Sequence, residues 1–271
     1  MYRVVDLTNL NWATTHSGGV SYGAFYKTSE TVNITKYYYK CSNFYSGQQE
    51  FGDESIYEVI CSRLLNKLGL NCINCALVLA KIKINNNIYT TYVSKSENYF
   101  KEYNSRTTLE NLVDILRTKD NNIDVIINKL GISKQIKEII IADFITIQRD
   151  RHGENIELLE KDNKYTVAPM FDNGLSFLAP YPSKITNLNQ IVNFEVMNDY
   201  PVNNYIGQRS LFGNLKYINK PIPINKLKPE DRRSIFYNLA NTLPKEYLDK
   251  IWEIILTRYD FLLQGGYVYV T

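Results

Sequence analysis

Asp150 is followed five residues later by Asn155, and Asp172 stands downstream in Phe171-Asp172-Asn173-Gly174. A carboxylate and an amide at this spacing, with a second carboxylate beyond them, are the groups that phosphoryl transfer requires. The first Asp accepts or orients the proton of the acceptor hydroxyl. The Asn and the second Asp offer oxygens to Mg²⁺ on the ATP phosphates. Taken alone, the same residues describe a polar loop and a turn, because Asn and Gly favour turns whatever the function. The order of parts points to kinase chemistry. An apolar helical run, 136–147, leads into the loop, a short strand pattern, 165–168, follows it, and the second carboxylate comes next.

Other elements must position these groups. Residues 14–27 are rich in Gly and Ser, with Gly18, Gly19, Ser21 and Gly23 able to bring backbone amides close to phosphates. The spacing is not Gly-x-Gly-x-x-Gly, and a hairpin loop would look the same. Residues 32–41 are β-branched and aromatic enough for a strand, which carries Lys36 and, at its end, Lys40. A kinase needs one strand-borne lysine over the phosphates and a helix glutamate to orient it. Residues 54–68 form an amphipathic helix stopped by Gly69. Glu58 lies among its apolar positions, where a carboxylate is costly unless paired. Glu54 lies at the helix mouth, where the dipole favours an acid anyway. Strands over 75–84 and 88–94 flank a turn at 85–87. Order alone then places the adenine hinge at 93–97, with Val93 and Ser94 in it.

Helices are expected over 109–116, 123–130 and 134–147, the last capped by Ser133. Two more are expected over 230–241 and 245–264, the final one closed by Gly265-Gly266 and packed into the core by Trp252, Ile255, Leu256, Tyr259 and Leu263. The irregular stretch 175–225 takes the place of a substrate segment. The expected fold is α+β and two-lobed, of protein-kinase type: a small antiparallel-sheet lobe with one helix over 1–95, and a mainly helical lobe over 96–271.

Composition narrows the function classes. The chain has 271 residues, 44% hydrophobic and 13% aromatic, enough for a large core. A net charge of +3, evenly spread, is too mild for a nucleic-acid footprint. The start lacks a signal-peptide pattern, and no apolar run is long enough to cross a membrane. Cys72 and Cys75 have metal-ligand spacing but no second pair, so the four cysteines read as buried reduced thiols, suited to a cytoplasm.

Asp-Arg-His-x-x-Asn followed by Phe-Asp-Asn-Gly resembles the HipA-like family of bacterial serine/threonine kinases. Phosphoinositide lipid kinases share the first motif but keep Asp-Phe-Gly. The resemblance implies ATP and Mg²⁺ as cofactors and a protein hydroxyl as acceptor. It implies Asp150 as base, with Asn155 and Asp172 as metal ligands. Tyr38-Tyr39-Lys40-Cys41-Ser42 looks like the family's strand end, which selects Lys40 over Lys36. Ser55-Ile56-x-Glu58-x-Ile60 resembles the family's helix, which makes Glu58 the partner of Lys40. His152 is expected to orient the loop. Family members autophosphorylate a serine near the Gly-rich loop, and Ser17 and Ser21 are the candidates here. A toxin or effector role fits the family. Full-length HipA toxins place a subdomain before this loop that docks a DNA-binding antitoxin. A short, kinase-core member is expected here, and antitoxin pairing does not follow. A lipid or small-molecule kinase on the same scaffold and a non-catalytic nucleotide-binding module are the rival readings.

Overall fold

Alternating apolar and polar residues in the first hundred positions produce strands, and most of these strands join one sheet. The structure, a computed structural model, describes residues 2–15, 22–100, 103–116, 123–204 and 207–271. The first strands are β1 (Val5–Asp6), β2 (Ala13–Thr15), β3 (Tyr22–Val32) and β4 (Thr35–Cys41). A two-residue pair, β5 (Phe44–Tyr45) and β6 (Glu50–Phe51), precedes helix α1 (Glu54–Lys67). Strands β7 (Cys75–Ile84) and β8 (Asn87–Glu97) complete a six-stranded sheet in the order β1-β7-β8-β4-β3-β2. All its pairings are antiparallel except that of β1 with β7.

The turns explain the registers. Asn85 and Asn86 both have positive φ, +48° and +68°, the backbone that a two-residue hairpin between right-twisted strands requires. The stretch expected as one strand over 32–41 is divided: Val32 ends β3, Asn33 turns at φ +55°, and β4 begins at Thr35.

One face of the sheet buries Leu7, Trp12, Tyr39, Cys41, Ile82, Ile84 and Val93. The main core lies on the other side. There α1 contributes Ile56, Val59, Ile60 and Leu64, all at most 2% exposed. Burying each such side chain is worth about 1.5–3 kcal/mol. Gly69, at φ +77°, lets the chain leave this helix.

The same core continues into the helical part. Its elements are β9 (Ser105–Thr108), α2 (Leu109–Leu116), α3 (Ile123–Lys129) and α4 (Ser133–Thr146). Then come β10 (Asp150–Arg151), β11 (Glu157–Lys161), β12 (Lys164–Val167), α5 (Leu188–Val192), β13 (Asn203–Asn204) and α6 (Leu211–Asn214). The chain ends in β14 (Ile222–Ile224), α7 (Asp231–Ile235), α8 (Lys245–Gln264) and β15 (Val268–Val270). Helices α4 and α8 pack together through Phe144 and Phe261, whose ring centroids are 5.5 Å apart. Trp252, Ile255 and Tyr259 of α8 are buried in this core. Among the described residues, no helix is long and apolar enough to cross a membrane.

Three boundaries differ from expectation. Ser133 does not cap α4: the N-cap position is Ile132, with no side-chain cap bond. Helix α7 stops at Ile235 rather than near 241, because Arg63 of α1 takes the carbonyls of Ile235 and Tyr237, at 3.0 and 2.8 Å, and Asn238 turns at φ +61°. Strand β8 runs on to Glu97, so 93–97 is strand and not a connection between lobes.

Candidate active site

Strand β4 sits between β3 and β8, and side-chain alternation sends Tyr39 and Cys41 into the smaller core and Lys40 to the opposite face. Lys40 Nζ donates to Asp172 Oδ1 and lies 4.7 Å from the Phe25 ring centroid. Lys27 pairs with Lys40 across the β3–β4 ladder, and its Nζ is 3.9 Å from Asp172 Oδ2. One carboxylate is thus held between two lysines. Burial alone would raise the Asp172 carboxyl, but Lys40 and Lys27 outweigh it and hold the group below the ordinary carboxylate range. Burial lowers Lys27, with Lys40 adding repulsion and Asp172 opposing.

Lys36, the rival to Lys40, stacks on Tyr38 instead. The expected Lys40–Glu58 pair is not formed, because Lys40 is turned to Asp172. Glu58 is 5% exposed, accepts the backbone N–H of Asn173, and leaves Oε2 without a partner. Burial raises its carboxyl, against the pull of Lys40. Glu54 is also buried rather than an exposed N-terminal acid, and Asn43 N–H donates to it at 3.2 Å. Gly174 packs directly on it: a Cβ at 174 would come within 3.1 Å of Glu54 Cβ and O. That close approach accounts for the glycine of Asp-Asn-Gly.

The loop after α4 begins with Ile147 in the left-handed region, φ +51°, unusual for a β-branched residue. Gln148 follows, fully buried. Its Nε2 donates to Asp172 O at 2.9 Å, and its Oε1 accepts from Asp150 N at 3.1 Å. This side chain connects the two carboxylate-bearing segments. Arg151 connects them again from below. It pairs with Asp143 of α4 at 3.0 Å and donates to Phe171 O and Asn173 Oδ1 at 2.9 and 2.6 Å.

Asn155 Nδ2 donates to Asp150 O at 2.9 Å and lies 3.2 Å from His152 Nε2, and His152 Nε2 is 3.7 Å from Asp150 Oδ2. His152 therefore bonds within the loop and not toward Asp172. The Asp150 carboxylate is about one-third exposed (34%) and receives a 3.4 Å contact from Asn203 Nδ2. A reacting hydroxyl can reach it.

The donor set suits a hard cation that takes oxygen ligands and keeps several for water and phosphate. Asn155 commits its amide N–H groups to the loop, which leaves Oδ1 for a ligand, and Asp172 is held ionised by its lysines. Among the described residues no cluster of three His, Cys, Asp or Glu could hold a metal unaided. A metal here would need the phosphates of a nucleotide as well.

Gly23 begins β3 beside Tyr22, while Ser17, Gly18, Gly19 and Ser21 lie outside the described residues. Val93 and Ser94 are interior to β8, paired with Cys41 and Lys40 on one side and with Val78 and Leu77 on the other. Their backbone groups are committed to the ladder, so a hinge contact has to come after Glu97. There Tyr99 stacks on Phe171, the residue before Asp172, with centroids 6.2 Å apart. Cys41, Cys61 and Cys72 are buried free thiols, and Cys75 is a partly exposed one.

Sequence reasoning missed Lys27, Gln148 and Arg151 as site-building residues. Only Lys27 left a signal. Phe25 and Lys27 alternate onto one face of the strand that leaves the Gly-rich stretch, and that strand had to pair with the one bearing Lys40.

Over nearly its whole length the chain shares the α+β fold of a proinflammatory kinase from Helicobacter pylori, CtkA, with a TM-score of 0.64 at 16% identity, covering 98% of this chain and 97% of that one. HipA of Shewanella oneidensis MR-1, solved in a toxin–antitoxin complex with HipB and operator DNA, aligns with a TM-score of 0.41 at 12% identity, over 90% of this chain and 62% of that one. No family model matches the chain, and no curated protein matches it in sequence.

Proposed function

We propose that this chain is a Mg²⁺- and ATP-dependent protein serine/threonine kinase. The observation that carries the reading is the carboxylate of Asp172 between Lys40 and Lys27, joined through Gln148 to the loop that presents Asp150 and Asn155. The kinase fold shared with CtkA supports it.

In this reading Lys40 and Lys27 leave Asp172 for the nucleotide phosphates and spread their charge over the oxygens where it builds up in the transition state. Asp172 and the Oδ1 of Asn155 would hold Mg²⁺, which when bound would neutralise phosphate charge. Glu58, with a free Oε2, receives Lys40 as it moves. Asp150 accepts the proton of the attacking hydroxyl. His152 and Asn203 steady its carboxylate, and Gln148 fixes its backbone. The bond formed joins the acceptor oxygen to the γ-phosphorus, and the bond broken frees ADP. Ser17 and Ser21 remain the proposed autophosphorylation sites, and an effector role is proposed by likeness to CtkA.

Intact mass after incubation with Mg-ATP, beside Asp150→Ala and a metal-free control, tests the reading. A phosphate gained only by the native chain, or transferred to a generic protein substrate, supports it. Nucleotide binding without transfer to itself or to any substrate would favour a nucleotide-binding module.

A further inference from the structure

Arg149 stands next to the proposed base and, among the described residues, forms no ion pair with any carboxylate. Its Nη1 donates to Phe177 O at 2.8 Å, and its guanidinium carbon is 5.0 Å from the Tyr200 ring centroid. The other guanidinium nitrogens have no partner and are not sealed from solvent. Arg258 of α8 approaches the same ring, at 6.0 Å, with Asp199 close enough to act on it electrostatically without closing an ion pair. Its nitrogens, however, are used on the carbonyls of Val196, Phe144 and Asn198. Arg149 has only one such bond.

A half-buried guanidinium with no counter-charge is expensive, and a second cation nearby makes it more so. Burial takes each guanidinium down to about 10, and Arg149 lowers Arg258 further while Tyr200 and Asp199 oppose. The groups that oppose burial at Arg149 are tyrosines, Tyr200, Tyr181 and Tyr57, and not carboxylates. Tyr57, fully buried and close enough to Arg149 to interact electrostatically, has a hydroxyl with no hydrogen bond. Tyr181 and Tyr200 complete an aromatic frame with polar tips. Tyr57 comes from α1, and Tyr181 and Tyr200 belong to residues 175–204, the segment that lies against the loop bearing Asp150 through the β10–β13 pairing. The nucleotide side of the site already has Lys40 and Lys27.

We propose that Arg149 is the acceptor-recognition residue of this kinase, binding the carboxylate or phosphate of a peptide side chain near the serine or threonine to be modified. The inference rests on the kinase reading above and names its substrate class, hydroxyl peptides with an acidic or phosphorylated neighbour. A guanidinium fork matches the two oxygens of either group, and an amide in their place forfeits the charge.

The test uses serine peptides that carry Glu, phosphoserine or Gln at each position flanking the acceptor. They are assayed with the native chain, Arg149→Gln and Arg149→Lys. At one spacing, the native chain should show a KM about tenfold lower for the Glu or phosphoserine peptide than for its Gln counterpart. Arg149→Gln should bring that ratio to about one, and Arg149→Lys should keep part of it. A parallel arm measures anisotropy of labelled peptides in which Ala replaces the acceptor serine. It reads the same preference without any transfer, so failure of the kinase reading and failure of this inference are distinguishable. Mapping of residues 175–204 after Mg-ATP treatment separates the sources of the anion. A phosphate there that abolishes the peptide preference, and does so only when Arg149 is present, assigns the same site to the chain's own segment. No preference at any spacing in either arm, or one unchanged by Arg149→Gln, overturns the proposal.

Discussion

Lys40 is bonded to Asp172 and not to Glu58, although Glu58 is buried nearby with an oxygen to spare. The proposed metal ligand and the proposed phosphate ligand therefore neutralise each other. In the proposed reading Mg-ATP separates them, and the unpaired oxygen of Glu58 gives Lys40 somewhere to go.

Glu58→Gln should stabilise the protein near neutral pH while slowing phosphoryl transfer. The folded state holds the Glu58 carboxyl above its ordinary value, so its contribution is favourable when protonated and lost as pH rises through that raised value. The amide removes the penalty. A gain of about 1 kcal/mol, or roughly 2–4 °C in Tm for a chain of this size, is expected near pH 7 and should vanish in acid. A variant that melts lower than the native chain at pH 7 would contradict this.

Asp172 has the opposite sign. Its carboxyl is depressed to about 2, so the stability it lends is complete above the ordinary carboxylate value and lost as pH falls from about 4 toward 2. Urea midpoints of the native chain and Asp172→Asn should differ most above pH 4 and converge below it.

Lys27→Met leaves Asp172 with Lys40 alone. The variant should fold normally and bind Mg-ATP about tenfold more weakly, a loss in the range expected for one charge-assisted hydrogen bond. Calorimetric titration with Mg-ATP measures it directly. Unchanged affinity would return Lys27 to a purely structural role.

Asp143→Asn strips the buried Arg151 of its counter-charge. Breaking a buried pair from one side costs about 3–5 kcal/mol, and the loss should appear in the urea midpoint. The double change Asp143→Leu, Arg151→Met should cost less than Asp143→Asn alone, since it strands no charge.

Gln148→Leu keeps the shape of the side chain and removes both of its bridges. The turnover number should fall by about ten- to a hundredfold with little change in the KM for ATP, because the lost bridges run to the backbones of Asp150 and Asp172 and leave the lysines that would meet the phosphates in place. An equal rise in KM would place Gln148 on the nucleotide side.

Where side-chain period and turn chemistry are local, the sequence was readable. The bounds of α2 and α8 and the stop of α1 at Gly69 follow from apolar spacing and glycine, and the Asn85–Asn86 turn from its residues. The spacing of Asp150, Asn155 and Asp172 marked the region that the structure assembles with Lys40. What stayed hidden depends on partners distant in sequence. The end of α7 is set by Arg63, 172 residues from the carbonyl of Ile235. The continuation of β8 through Lys95–Glu97 is set by its pairing with β4, which no residue of that polar stretch announces. Gln148 and Arg149 look like ordinary loop residues until the 175–204 segment is folded against them.

The pairing of β10 with β13 has one more consequence. The amide of Asn203 donates to Arg149 O at 2.7 Å, one residue before the strand that carries Asp150. Its exchange with deuterated solvent therefore clocks how often the acceptor-side segment detaches from the loop that would perform the chemistry. That single amide is a native, label-free timer of opening, and slower exchange when a peptide is bound would time the closed state.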